Sequence, residues 1–147
     1  MSKFILSMGV NTVAGQIADL LNSSHQLWYR QNKFSILNNN VKYIIELSQG
    51  QVVGMIGMER FGKSTELKHL CVHENYRGHG IGKKLLSKGI ECAPTDIVFG
   101  QVRSDNIVNI RNNLGLGMVP IGKKRRRGYS IIIFSRRKSC DSKANQR

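Results

Sequence analysis

Glycines at positions 78, 80 and 82 lie between a β-rich run and an amphipathic helical pattern. Glycine lets the backbone adopt positive φ and approach a ligand closely. The first amides of the helix that follows have no acceptor within the helix, and they lie at the positive end of its dipole. This order of elements predicts a loop that binds a phosphate or pyrophosphate group, and Arg77, Lys83 and Lys84 add positive charge to it.

Two common phosphate-binding motifs fit this segment poorly. A dinucleotide-binding fold requires G-x-G-x-x-G in its first βαβ unit, whereas the glycines here follow G-x-G-x-G and come after a hairpin. A P-loop requires Ser or Thr after Gly-Lys, and here Lys84 follows Gly82 and Lys83. A helix start whose glycines serve no ligand remains the structural alternative.

The periodicity of the whole chain predicts a mixed α/β domain, because the strands and helices do not alternate strictly. Strands are predicted at residues 4–6, 41–47, 52–58, 67–73, 97–102, 118–121 and 129–134, and helices at 12–21, 24–31, 81–91 and 105–113. Asp105 can cap the last of these helices. We expect one domain over residues 1–135 and a basic, disordered tail over residues 136–147.

The composition limits the class of protein further. The chain has 147 residues, 40% of them hydrophobic, which suits one folded domain. No apolar run approaches the roughly 18 residues of a membrane span, and the first residues lack the pattern of an export signal. The chain has three cysteines, Cys71, Cys92 and Cys140, which is an odd number. Their spacing fits no zinc site, so we expect no metal, and we expect a reducing, cytoplasmic compartment.

Positive charge is concentrated at the C-terminal end of the chain. Ten of the 23 Lys and Arg residues lie after position 120, together with a single acidic residue, and the net charge of the whole chain is +14. Five consecutive cations, Lys123, Lys124, Arg125, Arg126 and Arg127, are predicted to form the turn of the last hairpin together with Gly128. Such a run favours polyanionic partners such as nucleic acid, although a solvated, solubilising surface is the simpler alternative.

The glycine segment also carries a resemblance to a known family. Arg77, Gly80 and Gly82 resemble the signature of the GNAT acetyltransferase superfamily, which is Gln or Arg, two residues, Gly, one residue, and Gly or Ala. The similarity continues over residues 70–86 and again over residues 106–118, and it covers about residues 4–135. It implies the GNAT fold, an α/β fold with a mixed twisted sheet of about six to seven strands flanked by about four helices. It also implies acetyl-CoA as the co-substrate.

The resemblance assigns cofactor-binding roles residue by residue. The strand before the loop would pair its backbone with the pantetheine arm, the loop amides would hold the pyrophosphate, and residues of the later helix would also contact the cofactor. The residues concerned are Leu70, Cys71, Val72, Arg77, Gly78, His79, Gly80, Ile81, Gly82, Asn106 and Asn113. The resemblance also implies that the amide of Val72 stabilises the oxyanion of the reaction. A helix cap is the structural alternative for Asn106.

The residues that would move protons depart from the family pattern. Asn113 stands where many members have a tyrosine that protonates the leaving thiolate, and Gln101 stands where some have a glutamate base. Glu66 is the candidate base and Tyr129 the candidate acid, with an exposed carboxylate and a sheet aromatic as the structural alternatives. His69 and His73 are weaker candidates for proton transfer.

The resemblance implies an acetyl-CoA-dependent N-acetyltransferase that acts on an amine. The basic run at residues 123–127 would border the acceptor side of the cleft, which favours an acceptor associated with nucleic acid. A protein or small-molecule N-acetyltransferase is one alternative. A non-catalytic protein that binds acyl-CoA or nucleic acid is another, because the usual acid and one usual base position are substituted.

Overall fold

A computed structural model describes residues 9–24 and 30–139 of the chain. The helices are α1 (Val10–Ser24), α2 (Lys33–Asn38), α3 (Ile81–Cys92) and α4 (Ile107–Gly115). The strands are β1 (Lys42–Ser48), β2 (Gln51–Phe61), β3 (Ser64–Val72), β4 (Ile97–Arg103), β5 (Val119–Arg126) and β6 (Tyr129–Arg137). None of the helices in these two ranges is long and apolar enough to cross a membrane.

The strands form one six-stranded sheet in the order β1-β2-β3-β4-β6-β5. Neighbouring strands are antiparallel except β3 and β4, which are parallel. The connection between β3 and β4 contains α3, as a parallel connection requires a crossover. This mixed sheet with four described helices confirms the predicted fold class.

Strands β3 and β4 pair over only part of their length. Their register runs from Ser64 opposite Ile97 to Leu67 opposite Gly100. Beyond those residues β3 continues to Val72 paired only with β2, and β4 continues to Arg103 paired only with β6. The two strands therefore separate in the middle of the sheet, and the opening between them leads towards the glycine loop.

Helices cover the two faces of the sheet and form two apolar clusters. Helix α1 contributes Ile17 and Leu21 to a cluster with Met55 and Cys71. Helix α3 buries Leu85, Leu86 and Ile90 against the opposite face. Full burial of such side chains contributes about 1.5–3 kcal/mol each. This packing fixes α3, and with it the glycine loop at its start.

Two elements predicted near the N-terminus cannot be compared with the structure. The strand at 4–6 lies outside the described residues, as does most of the helix at 24–31. Helix α2 was not predicted, and it begins at Lys33 because Asn32 and Ser35 form a reciprocal cap. The Asn32 side chain accepts from the amide of Ser35, and the Ser35 hydroxyl accepts from the amide of Asn32.

The turn of the last hairpin is shorter than the predicted one, which spanned residues 123–128. Residues 123–126 belong to β5, and the turn consists of Arg127 and Gly128, with φ of +84° at Gly128. Strand β5 lies at the edge of the sheet and all its residues are exposed, so an unbroken cationic sequence carries no burial cost there.

The end of β6 lies beyond the predicted end of the domain at residue 135. The strand runs to Arg137, and the following residues contact the loop before β4. The amide of Lys138 donates to the Asp96 carbonyl at 2.9 Å, and the amide of Ser139 donates to Asp96 Oδ1 at 2.7 Å. The division of the chain into residues 1–135 and a tail stays a prediction, and residues 140–147 lie outside the described part.

Candidate functional site

The glycine loop is held in place by contacts within the loop itself. A short 3-10 turn, Glu74–Tyr76, follows β3, and His73 caps it by accepting from the amide of Asn75 at 3.1 Å. The Arg77 Nε donates to the Val72 carbonyl at 3.0 Å, which ties the loop back to the end of β3. These contacts make His73 a capping residue.

Gly78 and Gly80 give the loop its path. Their φ angles are +82° and +81°, values that residues with a Cβ adopt at a cost. Gly80 is the N-cap of α3, and the first intrahelical bond runs from the Lys84 amide to the Gly80 carbonyl at 3.0 Å. The amides of residues 81–83 precede that bond and lie at the positive end of the helix, which suits an anion.

A cavity of about 700 Å³ adjoins the loop. It brings together nine of the eleven predicted cofactor-binding residues, which are Leu70, Cys71, Val72, Arg77, Gly78, Gly80, Ile81, Gly82 and Asn106. The other two predicted residues do not line it. His79 is exposed and its Nδ1 lies 3.2 Å from the Tyr76 carbonyl oxygen. Asn113 lies deeper, beside the opening between β3 and β4. The cofactor-binding roles of all eleven residues stay predictions.

Five further residues line the same cavity, and they are Tyr76, Lys83, Val108, Asn109 and Asn112. Asn106, Asn109 and Asn113 follow one another at intervals of three and four, so they share a face of the later helix. That spacing was visible in the sequence. What it did not show is that Asn106 and Asn109 line the cavity beside the glycine loop, whereas Asn113 lines the opening between β3 and β4.

A second, smaller cavity of about 160 Å³ occupies the opening between β3 and β4. It shares Leu70, Asn106 and Asn109 with the larger cavity, so the two adjoin. Gly100 and Gln101 line it from β4, and His69 lines it from β3. A ligand in the larger cavity can therefore present one end at the middle of the sheet.

The backbone at the end of β3 is oriented towards this opening. The His73 amide donates to the Val53 carbonyl of β2 at 2.7 Å. Amides alternate in direction along a strand, so the Val72 amide points away from β2 and towards the opening. This orientation suits the oxyanion role predicted for Val72, which stays a prediction.

Asn113 and Gln101 are both adjacent to the opening but differ in their contacts. Asn113 is buried, and its Nδ2 donates to the carbonyl of Asn109 at 2.8 Å and to its Oδ1 at 3.0 Å. Gln101 is exposed, and its Nε2 donates to Glu66 Oε1 at 3.3 Å. Neither side chain can supply or accept a proton at neutral pH.

The two predicted catalytic residues do not line either cavity. Glu66 contacts Gln101 and lies 3.8 Å from Lys68 Nζ. Tyr129 lies at the start of β6 under the Arg103 guanidinium, whose central carbon is 3.8 Å from the ring centroid. The catalytic roles of Glu66 and Tyr129 stay predictions.

Arg103 also fixes the start of α4. It donates to both carboxylate oxygens of Asp105, at 3.0 and 2.8 Å, which lowers the pKa of Asp105. Asp105 is therefore not the cap of α4. Asn106 is the cap, because its side chain accepts from the Asn109 amide at 3.2 Å. Asn106 is thus a helix cap, which was the structural alternative for this residue, and its side of the helix also lines the cavity.

Comparisons with known proteins identify the class of protein. The acetyltransferase (GNAT) family matches residues 15–112, and the chain belongs to that family. The N-alpha-acetyltransferase RimI of Mycobacterium tuberculosis is 31% identical over 88 residues, which make up 57% of this chain and 56% of that protein. The similarity thus spans little more than half the length of that relative.

Solved structures share the fold at low sequence identity. The ribosomal-protein-alanine N-acetyltransferase of Brucella melitensis has a TM-score of 0.70 at 20% identity, covering 87% of this chain and 93% of its own. A Salmonella typhimurium protein solved with its cofactor acetyl-CoA has a TM-score of 0.72 at 16% identity, covering 87% of this chain and 90% of its own. These structures confirm the predicted GNAT fold.

Proposed function

We propose that this protein is an acetyl-CoA-dependent N-acetyltransferase. The observation that carries the proposal is the cavity beside the glycine loop, which adjoins the opening between β3 and β4. Acetyl-CoA has an anionic pyrophosphate, a long pantetheine arm and a thioester at the far end. The loop amides, the backbone of residues 70–72 and the opening fit these three parts in that order.

The reaction is the transfer of an acetyl group from sulfur to nitrogen. The neutral amine attacks the thioester carbonyl, the carbon–sulfur bond breaks, and the thiolate of CoA takes a proton. An ammonium acceptor must lose one proton before it attacks. The Val72 amide, directed into the opening, would donate to the oxyanion.

The acceptor we propose is the α-amine at the N-terminus of a protein. The supporting observation is the similarity to RimI, at 31% identity over 88 residues. The Brucella melitensis relative is named for the alanine of a ribosomal protein. An α-amine has a pKa of about 7.7–8.0, so a substantial fraction is already neutral near physiological pH.

We further propose that the acceptor is associated with nucleic acid. Strand β5 and its turn expose five consecutive cations, from Lys123 to Arg127, at the edge of the sheet. A cationic strand at an edge attracts phosphates and repels a lysine-rich peptide. A protein N-terminus presented on RNA satisfies both supporting observations, because the amine and the phosphates then come from one assembly.

A direct assay tests the acetyltransferase activity. We expect acetyl-CoA to bind in isothermal calorimetry, and a peptide with an N-terminal alanine to release CoA and gain one acetyl group at its α-amine by mass spectrometry. Binding without CoA release would instead support the non-catalytic alternative. Acetylation of a small polyamine but not of the peptide would support a small-molecule acceptor.

A charge-matched pair of variants tests the nucleic-acid association. The β5 variant replaces Lys123, Lys124, Arg125 and Arg126 by Gln, and the control replaces Lys33, Lys42, Lys63 and Lys88, all exposed cations elsewhere, by Gln. Each variant loses the same positive charge. We expect the salt slope of binding to a single-stranded RNA oligonucleotide to fall by about 3 in the β5 variant and to stay near the wild-type value in the control. Equal effects of the two variants would show that β5 contributes to RNA binding only through the overall charge of the protein.

A further inference from the structure

The half of the sheet formed by β4, β6 and β5 has one packed face and one open face. Val98 and Phe134 are buried on the packed face, in the same cluster as the apolar residues of α3. Side chains alternate between the two faces along a strand. Phe99, Ile131 and Ile133 therefore lie on the other face, where they are half-buried and, among the described residues, belong to neither apolar cluster. We call this surface, over β4, β6 and β5, the open face.

Arg103 holds its guanidinium on the open face in a fixed orientation. Its central carbon lies 3.8 Å from the centroid of the Tyr129 ring, and it donates to the Asp105 carboxylate at 3.0 and 2.8 Å. The ring covers one face of the guanidinium and the carboxylate occupies one edge, while 43% of the side chain stays exposed. A guanidinium held in this way offers its other face to a second flat group, and nucleobases stack on arginine in this manner.

The stacking position at Arg103 borders the opening between β3 and β4, because Arg103 lines that opening. Phe99 is on the same face of β4, four residues earlier, which places it about 13 Å away. Its ring is tilted against that of Phe61, with centroids 6.4 Å apart, and Phe61 is 51% exposed. The open face thus has two separate positions, at Arg103 and at Phe99, where a planar group can stack.

Two cations of the open face lie on β5. The register places Lys124 opposite Ile131 and Arg126 opposite Tyr129, so both side chains share the face of those residues. Both are exposed. Strand β6 separates β5 from β4, and neighbouring strands are about 4.8 Å apart, so these cations lie about 10 Å to one side of the stacking positions. Exposed cations in such a place attract phosphates.

Carboxylates lie on the other side of β4. Glu66 faces Phe99 in the register and Glu59 faces Glu66, and both precede the point where β3 has one extra residue opposite β2. Lys68 Nζ is 2.8 Å from Glu59 and 3.8 Å from Glu66, so one cation serves two acids. The remaining negative charge disfavours phosphates there. A polyanion on the open face is therefore oriented with its phosphates over β5.

We propose that the open face binds single-stranded nucleic acid, with one base stacked on Arg103 and another on Phe99, and with phosphates at Lys124 and Arg126. The proposal rests on the nucleic-acid association proposed above and names the surface that provides it. It places a base beside the opening, whereas charge alone would favour any path along β5. Stacking on flat side chains combined with cations is the usual way in which proteins hold single strands.

A charge-preserving substitution separates stacking from charge. Lysine keeps the charge of arginine but lacks the planar guanidinium. We expect Arg103→Lys to bind a single-stranded RNA of about 12 nucleotides roughly tenfold more weakly at every salt concentration, with an unchanged salt slope. The control is Arg60→Lys, which replaces an exposed arginine of β2 and should bind like wild type. Wild-type affinity in Arg103→Lys would overturn the stacking at this residue.

A second variant does not involve the contact with Asp105 at the start of α4. Phe99→Leu keeps an apolar side chain but removes the ring, and we expect it to weaken RNA binding by about fivefold or more. Phe34→Leu is its control, because Phe34 is an exposed aromatic residue of α2, away from the open face. Melting temperatures near that of wild type show that each variant is folded. Equal affinities of Phe99→Leu and Phe34→Leu would contradict a base at Phe99.

An abasic oligonucleotide tests the bases from the side of the ligand. It carries the same number of phosphates, so wild type should bind the RNA about tenfold or more tightly than the abasic strand. Arg103→Lys and Phe99→Leu should each reduce this preference. Equal binding of the two strands by wild type would overturn the proposal. Competition by polyglutamate as effective as that of unlabelled RNA would also overturn it, and would identify an acidic protein segment as the occupant.

The same measurements separate this inference from the proposed function. If wild type binds no RNA, the nucleic-acid association fails and the stacking positions fail with it. If wild type binds RNA with a salt slope that the β5 variant lowers, while Arg103→Lys and Phe99→Leu bind like wild type, only the stacking is wrong. Acetylation of the alanine peptide is measured without RNA, so neither outcome decides the acetyltransferase activity.

Discussion

Gly80 and Gly82 are two residues apart, but only Gly80 has a backbone conformation that favours glycine. Gly80 has φ of +81° and open space where a Cβ would lie. Gly82 has an ordinary helical position, and a Cβ there would meet Val72 Cγ2 at 3.7 Å and Asn112 Nδ2 at 3.9 Å. Gly80 is thus needed for its conformation, whereas Gly82 leaves room on the wall of the cavity.

Alanine at these two positions should have opposite effects on stability. We expect Gly80→Ala to lower the free energy of unfolding by about 1–2 kcal/mol, because alanine resists positive φ. We expect Gly82→Ala to raise it by about 0.5–1 kcal/mol, because alanine is the better helix former. Chemical denaturation measures both changes.

Acetyl-CoA affinity should separate the two variants. Gly80→Ala should bind acetyl-CoA more weakly, because strain at the start of α3 displaces the loop amides. Gly82→Ala should keep an affinity within about twofold of wild type, because the family signature accepts alanine at this position and the new Cβ would meet its neighbours at ordinary distances. Calorimetry measures both, and clearly weaker binding in Gly82→Ala would show that the new methyl group meets the cofactor.

At the scale of elements, the irregular pairing of β2 with β3 decides the geometry of the opening. Gly57 faces Lys68, directly before the extra residue of β3. A Cβ at Gly57 would lie 2.5 Å from Val41 Cγ1 and 3.2 Å from both the Lys68 carbonyl oxygen and Tyr43 Cε1. The absence of a side chain there lets Tyr43 lie over β2 and reach His69.

A matched pair of glycine substitutions tests this close packing. We expect Gly57→Ala to destabilise the protein by about 1–3 kcal/mol through overpacking. The control is Gly122→Ala on the exposed edge strand β5, where a Cβ would meet Ile133 Cδ1 at an ordinary 3.5 Å, and we expect it to change stability by less than about 0.5 kcal/mol. Thermal unfolding distinguishes the two. Similar melting temperatures for both variants would show that Tyr43 can move aside without cost.

At the scale of the whole molecule, the end of β6 is joined to the loop between α3 and β4. Asp96 accepts from the Ser139 amide at 2.7 Å and from its hydroxyl at 2.9 Å, and Lys138 Nζ donates to the Ala93 carbonyl at 2.6 Å. Hydrogen bonds from Ser139, followed by the charges of Arg137 and Lys138, lower the pKa of Asp96. This tie links the C-terminal strand to the helix that carries the glycine loop.

Because the pKa of Asp96 is lowered in the folded protein, the stabilisation that its hydrogen bonds provide depends on pH. A carboxyl with a lower pKa in the folded state stabilises the protein above its unfolded pKa, about 3.9, and this stability is lost as the pH falls through the folded value. Asp96→Asn should therefore melt below wild type at neutral pH, and the difference should shrink in acid. The control is Asp19→Asn, which removes an exposed carboxylate of α1 and should show no such convergence.

The sequence by itself determined the glycine loop and the family, because both depend on local properties. Positive φ at Gly78 and Gly80 and unbonded amides at a helix start follow from residue type and neighbouring pattern. Apolar residues at strand spacing likewise predicted the main strands, and apolar residues at helical spacing predicted α3. Strand ends were harder to predict, because a run of cations such as residues 123–126 is as typical of an exposed turn as of an exposed edge strand.

Only the tertiary structure decided what lies at the end of the cavity. Separation of β3 from β4 depends on a register between distant residues, and so does the contact of Tyr43 with His69 across 26 positions. Arg103 covers Tyr129 for a similar reason, because β4 and β6 are adjacent only in the folded sheet. Strand pairing is non-local, so a sequence pattern can propose proton-transfer residues, but the fold determines which of them faces the opening.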